Sequence, residues 1–250
     1  MINDDDIRYT TTGKKSVVQK IFSEVYGDAA PPEEVLPFSF ITKSDLDIAC
    51  TSLRLNSKHT FLDLACGTGG PGLWIAKKTR AKIIGIDHSF KAIEEAKIRV
   101  KEFGLDGNAE YTVGNAESIG IKSHCMDGVV SFDALWAPND KIAVFNEIKR
   151  ILRPTGILVF TTWEQRINYY QEIATETGFK IQSYYETANW ENLQRSVYKR
   201  WIESEELLVN KMGRNAADLL IQEATFMTDH QDGECDRLSQ VKRVFITAIT

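Results

Sequence analysis

The chain has 250 residues and a net charge of −5, which fits one large α/β domain, or one domain with a cap. No run of Lys or Arg exceeds two, so the clustered cations that a nucleic-acid surface needs are missing and no nucleic-acid partner is expected. Hydrophobic residues make up 43%, ample for a core, but no apolar run approaches the roughly 20 residues that span a membrane, so no membrane partner is expected.

The first residues, Met1-Ile-Asn-Asp-Asp-Asp6, are acidic and lack an apolar signal core, so a cytoplasmic address is expected. The cysteines Cys50, Cys66, Cys125 and Cys235 form no CxxC pair, and no His stands at ligand spacing from them. Reduced thiols and no metal are the expectation.

In chain order, residues 14–26 put Val17, Val18, Ile21, Phe22 and Val25 on one helical face, with Gly27-Asp28 as a stop. A loop runs through Pro37-Phe-Ser-Phe40. Asp45 to Leu55 reads as a second helix, with Ser44 as N-cap and Asp47 at a capping-box position. From residue 60, strands and helices alternate. Strands are predicted at 60–65, 82–87, 109–113, 127–132 and 156–162, and helices at 71–79, 89–103, 140–152 and 166–177. Ser89 and Asp140 are the caps of the second and third of these helices.

The strands are short, apolar and unbroken, as parallel strands buried on both faces are. The alternation predicts a doubly wound, Rossmann-like sheet. Two more strands, Phe179 to Tyr185 and Val241 to Ile249, complete seven, the last antiparallel. Roughly 50 residues separate these two, too many for a plain loop. Trp190, Leu193, Val197, Trp201, Leu207, Leu208 and Met212 fall there at helical spacing, which predicts a helical cap. The expected plan is one domain: lid helices over 1–57, a cofactor-binding core over 58–186, a cap over 187–238 and a final strand over 239–250.

The most informative stretch is Phe61-Leu-Asp-Leu-Ala-Cys-Gly-Thr-Gly-Gly-Pro-Gly72, followed by Lys82-Ile-Ile-Gly-Ile-Asp87. Gly67-x-Gly69-x-x-Gly72 satisfies the dinucleotide fingerprint, with Asp87 where a ribose-binding acid sits. Taken alone, that match suggests NAD. Asp63, four residues ahead of Gly67, argues otherwise. A carboxylate there repels a pyrophosphate but attracts the ammonium and sulfonium of S-adenosylmethionine. Asn115-Ala-Glu117 follows the third strand, where an adenine edge would rest.

Here the chain resembles the class I S-adenosylmethionine-dependent methyltransferases, over residues 58–186 and the final strand. Asp63-Leu-Ala-Cys-Gly-Thr-Gly-Gly is similar to the first motif of that family, and Asp87-His88 to its ribose acid and adenine neighbour. Gly114-Asn-Ala-Glu117 resembles G-D-A-E, with Asn115 in place of the acid. Arg150-Ile-Leu-Arg-Pro-Thr-Gly156 resembles R-x-L-R-P-G-G.

The resemblance implies a donor site made of Asp63, Gly67, Gly69, Asp87, His88, Asn115, Ala116, Glu117 and Ser131, with S-adenosylhomocysteine as product. Related small-molecule enzymes read S-x-D-A-x-x-H where this chain has Ser131-Phe-Asp-Ala-Leu-Trp-Ala137. The His is Ala137 here, which leaves Asp133 as the candidate base or a cofactor-side contact. Tyr26, Phe38, Trp136, Trp163, Glu164, Trp190 and Tyr198 are the candidate acceptor pocket. The expected acceptor is an apolar, aromatic or cationic small molecule, drawn for instance from secondary metabolism and methylated on O, N or C. An RNA or protein methyltransferase and a non-catalytic donor-binding protein are the rivals. A monomer or a homodimer fits equally well.

Overall fold

The computed structural model describes residues 16–36, 39–229 and 236–250. Phe38, one of the candidate pocket residues, lies outside them.

Seven strands form one sheet: β1 (Thr60–Leu64), β2 (Lys82–Asp87), β3 (Ala109–Val113), β4 (Met126–Phe132), β5 (Leu152–Glu164), β6 (Lys180–Glu186) and β7 (Lys242–Ile249). The order is β3-β2-β1-β4-β5-β7-β6. The five strands from β3 to β5 run parallel, and β7 is antiparallel to both β5 and β6. The strand order therefore reverses between β1 and β4. Ligands of such sheets bind at the carboxyl ends of the strands beside that reversal.

Side chains alternate across each buried strand, so neighbouring apolar residues serve opposite layers. Phe61, Ile83, Val130, Val159 and Phe245 pack on one face. That face is covered by α2 (Lys43–Leu53), α3 (Gly70–Thr79) and α4 (Phe90–Glu102). Leu62, Val129, Leu158, Phe160 and Ile246 pack on the other, under α5 (Lys141–Ile151) and α6 (Tyr169–Glu176). A third cluster joins the N-terminal helix α1 (Val17–Tyr26) to the insert helices α7 (Trp190–Glu203), α8 (Glu205–Met212) and α9 (Arg214–Thr228). Lid and cap are thus one body: Val18, Ile21 and Phe22 meet Val197, Trp201 and Leu220 there.

Ser16 caps α1, Ser89 caps α4 and Asp140 caps α5, each accepting from a backbone amide three residues on. The cap of α2 differs from the sequence expectation. Thr42 is the N-cap and Asp45 closes the box, two residues ahead of the expected Ser44 and Asp47. The reason is mutual: Thr42 Oγ1 accepts from Asp45 N at 3.1 Å, and Asp45 Oδ2 accepts from Thr42 N at 2.9 Å. The helix also ends earlier, at Leu53, where Arg54 turns left-handed at φ 51°. β5 is longer than expected and begins directly after α5, with Thr155 at φ 65° absorbing the irregular register against β4.

Candidate active site

The turn after β1 is built by close approach. Gly67 and Gly69 have φ of 52° and 78°, which glycine adopts without strain, and Gly69 is the N-cap of α3. At Gly72 a Cβ would stand 2.3 Å from Asp63 Oδ2. Only a glycine there leaves room for the Asp63 carboxylate, which also accepts a hydrogen bond from the Gly72 amide.

Asp63 is 2% exposed, and its Oδ2 has no hydrogen-bonding partner within the chain. Burial, then the neighbouring Asp87 charge, push its carboxyl from 3.8 up to about 8, against the smaller opposing effect of the Gly72 amide. Burial does the same to the Cys66 thiol, with Asp63 and Asp87 adding to it, so Cys66 fills space as a neutral group. Asp87 Oδ2 accepts from Gly67 N at 2.7 Å and its Oδ1 from Ser89 N at 2.9 Å. A carboxylate offers about four lone-pair sites, so further donors fit beside these amides. His88 Nδ1 stands 3.5 Å from Asp87 Oδ1, with the ring largely exposed.

These groups open on a cavity of about 1310 Å³. Single small-molecule sites occupy roughly 300–1,000 Å³, so the space suits two ligands side by side. Asp63, Gly67, Asp87, His88, Asn115, Ala116 and Glu117 line one end of it. Asn115 Oδ1 accepts from Glu117 N at 2.9 Å, and Glu117 Oε1 accepts from Asp140 N at 3.0 Å, which joins this loop to the start of α5. Gly69 and Ser131 are not on the wall. Gly69 O accepts from the buried Tyr111 hydroxyl at 3.5 Å, and Ser131 is fully buried inside β4.

Trp136, Trp163, Glu164 and Tyr198 also line the cavity. Trp136 is 56% exposed at its mouth, with Nε1 donating to Asp133 O at 2.9 Å. Two of the sequence candidates do not reach the wall. Tyr26 is buried with its hydroxyl donating to Phe40 O at 3.3 Å. Trp190 is in the cap core, its Nε1 donating to Glu186 Oε1 at 2.9 Å. Phe22, Phe40, Gln194 and Trp201 take wall positions instead.

Asp133 requires the largest revision. It lies on the wall, at φ 56°, but every part of its carboxylate is engaged. Oδ1 accepts from Thr161 Oγ1 at 2.7 Å and Arg243 Nε at 2.9 Å. Oδ2 accepts from Phe40 N at 3.0 Å and Arg243 Nη2 at 3.1 Å. Arg243 is wholly buried and also donates to Asp45 Oδ2 at 3.0 Å and Thr187 Oγ1 at 3.1 Å. These four donors occupy the roughly four lone-pair sites of the carboxylate and leave no open one for a substrate proton. Asp133 anchors the lid rather than offering a free base.

A second buried arginine makes the corresponding link at the glycine turn. Arg99 donates from Nη1 to Thr68 O and Oγ1, and from Nη2 to Glu34 O and Val35 O, all within 2.7–2.9 Å. It ties the lid segment to the glycine turn. Both arginines were legible as charges set among apolar neighbours, Arg99 between Ala96 and Val100 and Arg243 ahead of Val244-Phe245-Ile246. Neither belongs to a motif.

Residues 55–201, more than half of the chain, match the family described as a methyltransferase domain. The chain belongs to that family. Among curated relatives, the methyltransferase GfsG of Streptomyces halstedii is 27% identical over 133 residues, 53% of this chain and 48% of that protein. The sterol 24-C-methyltransferase of Candida albicans is 28% identical over 117 residues, 47% of this chain and 31% of its own length. The matches thus span half or less of these relatives. Among solved structures, the [4+2]-cyclase SpnF superimposes with a TM-score of 0.74 at 18% identity, covering 93% of this chain and 92% of that one. The phosphoethanolamine N-methyltransferase 2 of Haemonchus contortus, in complex with S-adenosyl-L-methionine, gives 0.71 at 18% identity, covering 100% of this chain and 60% of that one. At such identities the structures speak for the shared fold, a seven-stranded methyltransferase sheet.

Among the described residues, no helix is long and apolar enough to cross a membrane. No group of three or more His, Cys, Asp or Glu side chains is gathered there for a metal ion.

Proposed function

We propose that the chain transfers a methyl group from S-adenosylmethionine to an O, N or C nucleophile of a small molecule, releasing S-adenosylhomocysteine. The observation that carries this reading is the buried, unpartnered Oδ2 of Asp63 beside the glycine turn. An orphaned carboxylate oxygen is costly unless a donor arrives, and an ammonium group is such a donor. A pyrophosphate brings no donor to that oxygen and opposes its ionisation, which disfavours a dinucleotide.

Asp63 would meet the methionyl ammonium, directly or through a water. Gly67 would let the backbone approach. Asp87 would accept from the ribose hydroxyls, His88 would lie beside the adenine, and Asn115 to Glu117 would meet its edge. When bound, S-adenosylmethionine supplies a methyl carbon already activated by sulfonium.

The work left to the protein is alignment of the nucleophile and exclusion of water, both served by proximity. The lid and cap enclose the far end of the cavity with Phe22, Phe40, Trp163, Tyr198 and Trp201. Asp133 holds that lid in place through Phe40 N and Arg243. With Ala137 in the loop and Asp133 engaged, an acceptor that attacks without prior loss of a proton fits best.

Calorimetry on the full chain with S-adenosylmethionine, S-adenosylhomocysteine and NAD tests the donor. Binding of the first two and not the third is expected, and NAD binding alone would refute the reading. The committed state of Asp133 also favours a second reading, a protein that keeps the donor site without transfer. Radiolabelled methyl incorporation into a metabolite extract is expected here and would exclude it.

A further inference from the structure

We infer that the methyl acceptor carries, apart from its nucleophilic atom, a cationic nitrogen on an apolar or aromatic body, and not a phosphate or diphosphate. The inference rests on the methyl-donor reading, which assigns the strand-end half of the cavity to the donor and leaves the lid-and-cap half to the acceptor.

Three observations of the cavity agree. The first is a continuous aromatic wall in its lid-and-cap half. Phe40 meets Phe22 at 5.5 Å, Tyr198 at 5.7 Å and Trp163 at 5.8 Å between ring centres, and Tyr198 meets Trp201 at 5.5 Å. All five rings line the cavity. Ring faces carry negative potential and attract cations, more strongly where water is excluded.

The second is Glu164, at the end of β5 and 3% exposed. Its Oε1 accepts from Asn168 N at 3.1 Å and from the Tyr184 hydroxyl, while its buried Oε2 has no partner. A buried carboxylate oxygen on a cavity wall calls for a donor, and a charged donor satisfies it best.

The third is the fate of the cations. Among the described residues, Lys141 and Arg166 line the cavity. Lys141 Nζ donates to the carbonyls of Trp136 and Pro138. Arg166 pairs with Glu172 through both terminal nitrogens, at 2.9 and 2.6 Å. Arg243 is sealed behind Asp133 and Asp45, one positive charge against two negative ones. Phosphate recognition relies on cations or converging amides aimed at the ligand. Among the described residues on this wall, the buried donors without a partner are neutral: Trp201 Nε1 and the hydroxyl of Ser39. They suit a hydroxyl or ether oxygen, and cannot neutralise a phosphate.

The test uses the full chain saturated with S-adenosylhomocysteine and three probes: N,N-dimethylbenzylammonium, its uncharged isostere isobutylbenzene, and phenyl phosphate. Calorimetry is expected to rank the ammonium about tenfold tighter than the isostere, with phenyl phosphate weakest. Glu164→Gln should remove most of that preference, and Trp163→Leu part of it, with S-adenosylhomocysteine affinity reporting on the integrity of each variant. Equal affinity for ammonium and isostere, or tightest binding of phenyl phosphate, would overturn the inference. Failure of S-adenosylhomocysteine to bind would instead strike the donor reading, and the probe ranking on the unliganded chain would still decide this one.

Discussion

The two ends of the cavity are made differently. At the end proposed for the donor, backbone does most of the work: glycines at positive φ, strand-end amides and two acids, Asp63 and Asp87, positioned by a local motif. At the end proposed for the acceptor, side chains from three distant segments meet: Phe22 and Phe40 from the lid, Trp163 from β5, Tyr198 and Trp201 from the cap. The first end is fixed by short-range geometry and the second by tertiary packing. A buried arginine joins the lid to each, Arg99 at the glycine turn and Arg243 at Asp133.

The largest effect should come from breaking the Arg243 link. Arg243→Met leaves Asp133 and Asp45 buried without their cation, and loss of one partner from a buried pair costs about 3–5 kcal/mol. Urea unfolding should show this. Further replacement of Asp45 and Asp133 by Asn should restore part of the loss, because the uncompensated charges are then gone. No recovery would mean that packing, and not charge, holds the lid.

Next in size is Asp87→Ala, confined to the donor end. It removes the acceptor for Gly67 N and Ser89 N as well as for the proposed ribose hydroxyls. Charge-assisted hydrogen bonds are worth about 1.5–3 kcal/mol each, so donor affinity should fall by at least about tenfold. Calorimetry with S-adenosylhomocysteine measures this, and unchanged affinity would count against the ribose role.

Asp63 sharpens the contrast through pH. Its folded carboxyl titrates at about 8, above its ordinary 3.8, so between those values the folded chain holds a proton that the unfolded chain has lost. This contribution to stability is full below pH 4, falls as pH rises toward 8, and is flat above. Asp63→Asn should flatten that slope in urea titrations across pH 4–8. A cationic donor requires the carboxylate, so binding below pH 8 should release up to one proton. Calorimetry in two buffers of different ionisation enthalpy counts it, and a zero count would place the ammonium elsewhere.

The glycine-turn end, proposed for the donor, was legible because its residues are contiguous. Asp63, Gly67 and Asp87 fall within one strand-turn-helix-strand unit, whose geometry follows from local chain constraints. The seven strands and the antiparallel β7 followed from the alternation of elements and the late insert, while the strand order is a finding of the structure. The acceptor end was legible only as a composition of aromatics. Trp190 and Trp201 are both apolar-face residues of α7, and spacing alone does not tell which one meets a cavity. Asp133 misled for a related reason: its partners Arg243 and Phe40 are 110 and 93 residues away. The α2 cap shifted because Thr42 and Asp45 satisfy each other's amides, where Ser44 lies within the helix.

The smallest expected effect tests whether the two ends are separable. Tyr198 OH donates to Glu223 Oε1 at 3.0 Å and accepts from Gln194 Nε2 at 2.7 Å, and Gln194 Oε1 accepts from Trp163 Nε1 at 3.2 Å. Tyr198→Phe keeps the ring contacts with Phe40 and Trp201 but deletes the hydroxyl between Gln194 and Glu223. Such a loss costs about 1 kcal/mol of stability, a little more where Gln194 Nε2 stays buried without an acceptor. S-adenosylhomocysteine affinity should not change, because no bond of this relay touches the glycine turn. If donor affinity falls with the hydroxyl, the two ends are coupled through the lid, and the Arg99 contacts to Glu34 and Val35 are the path to cut next.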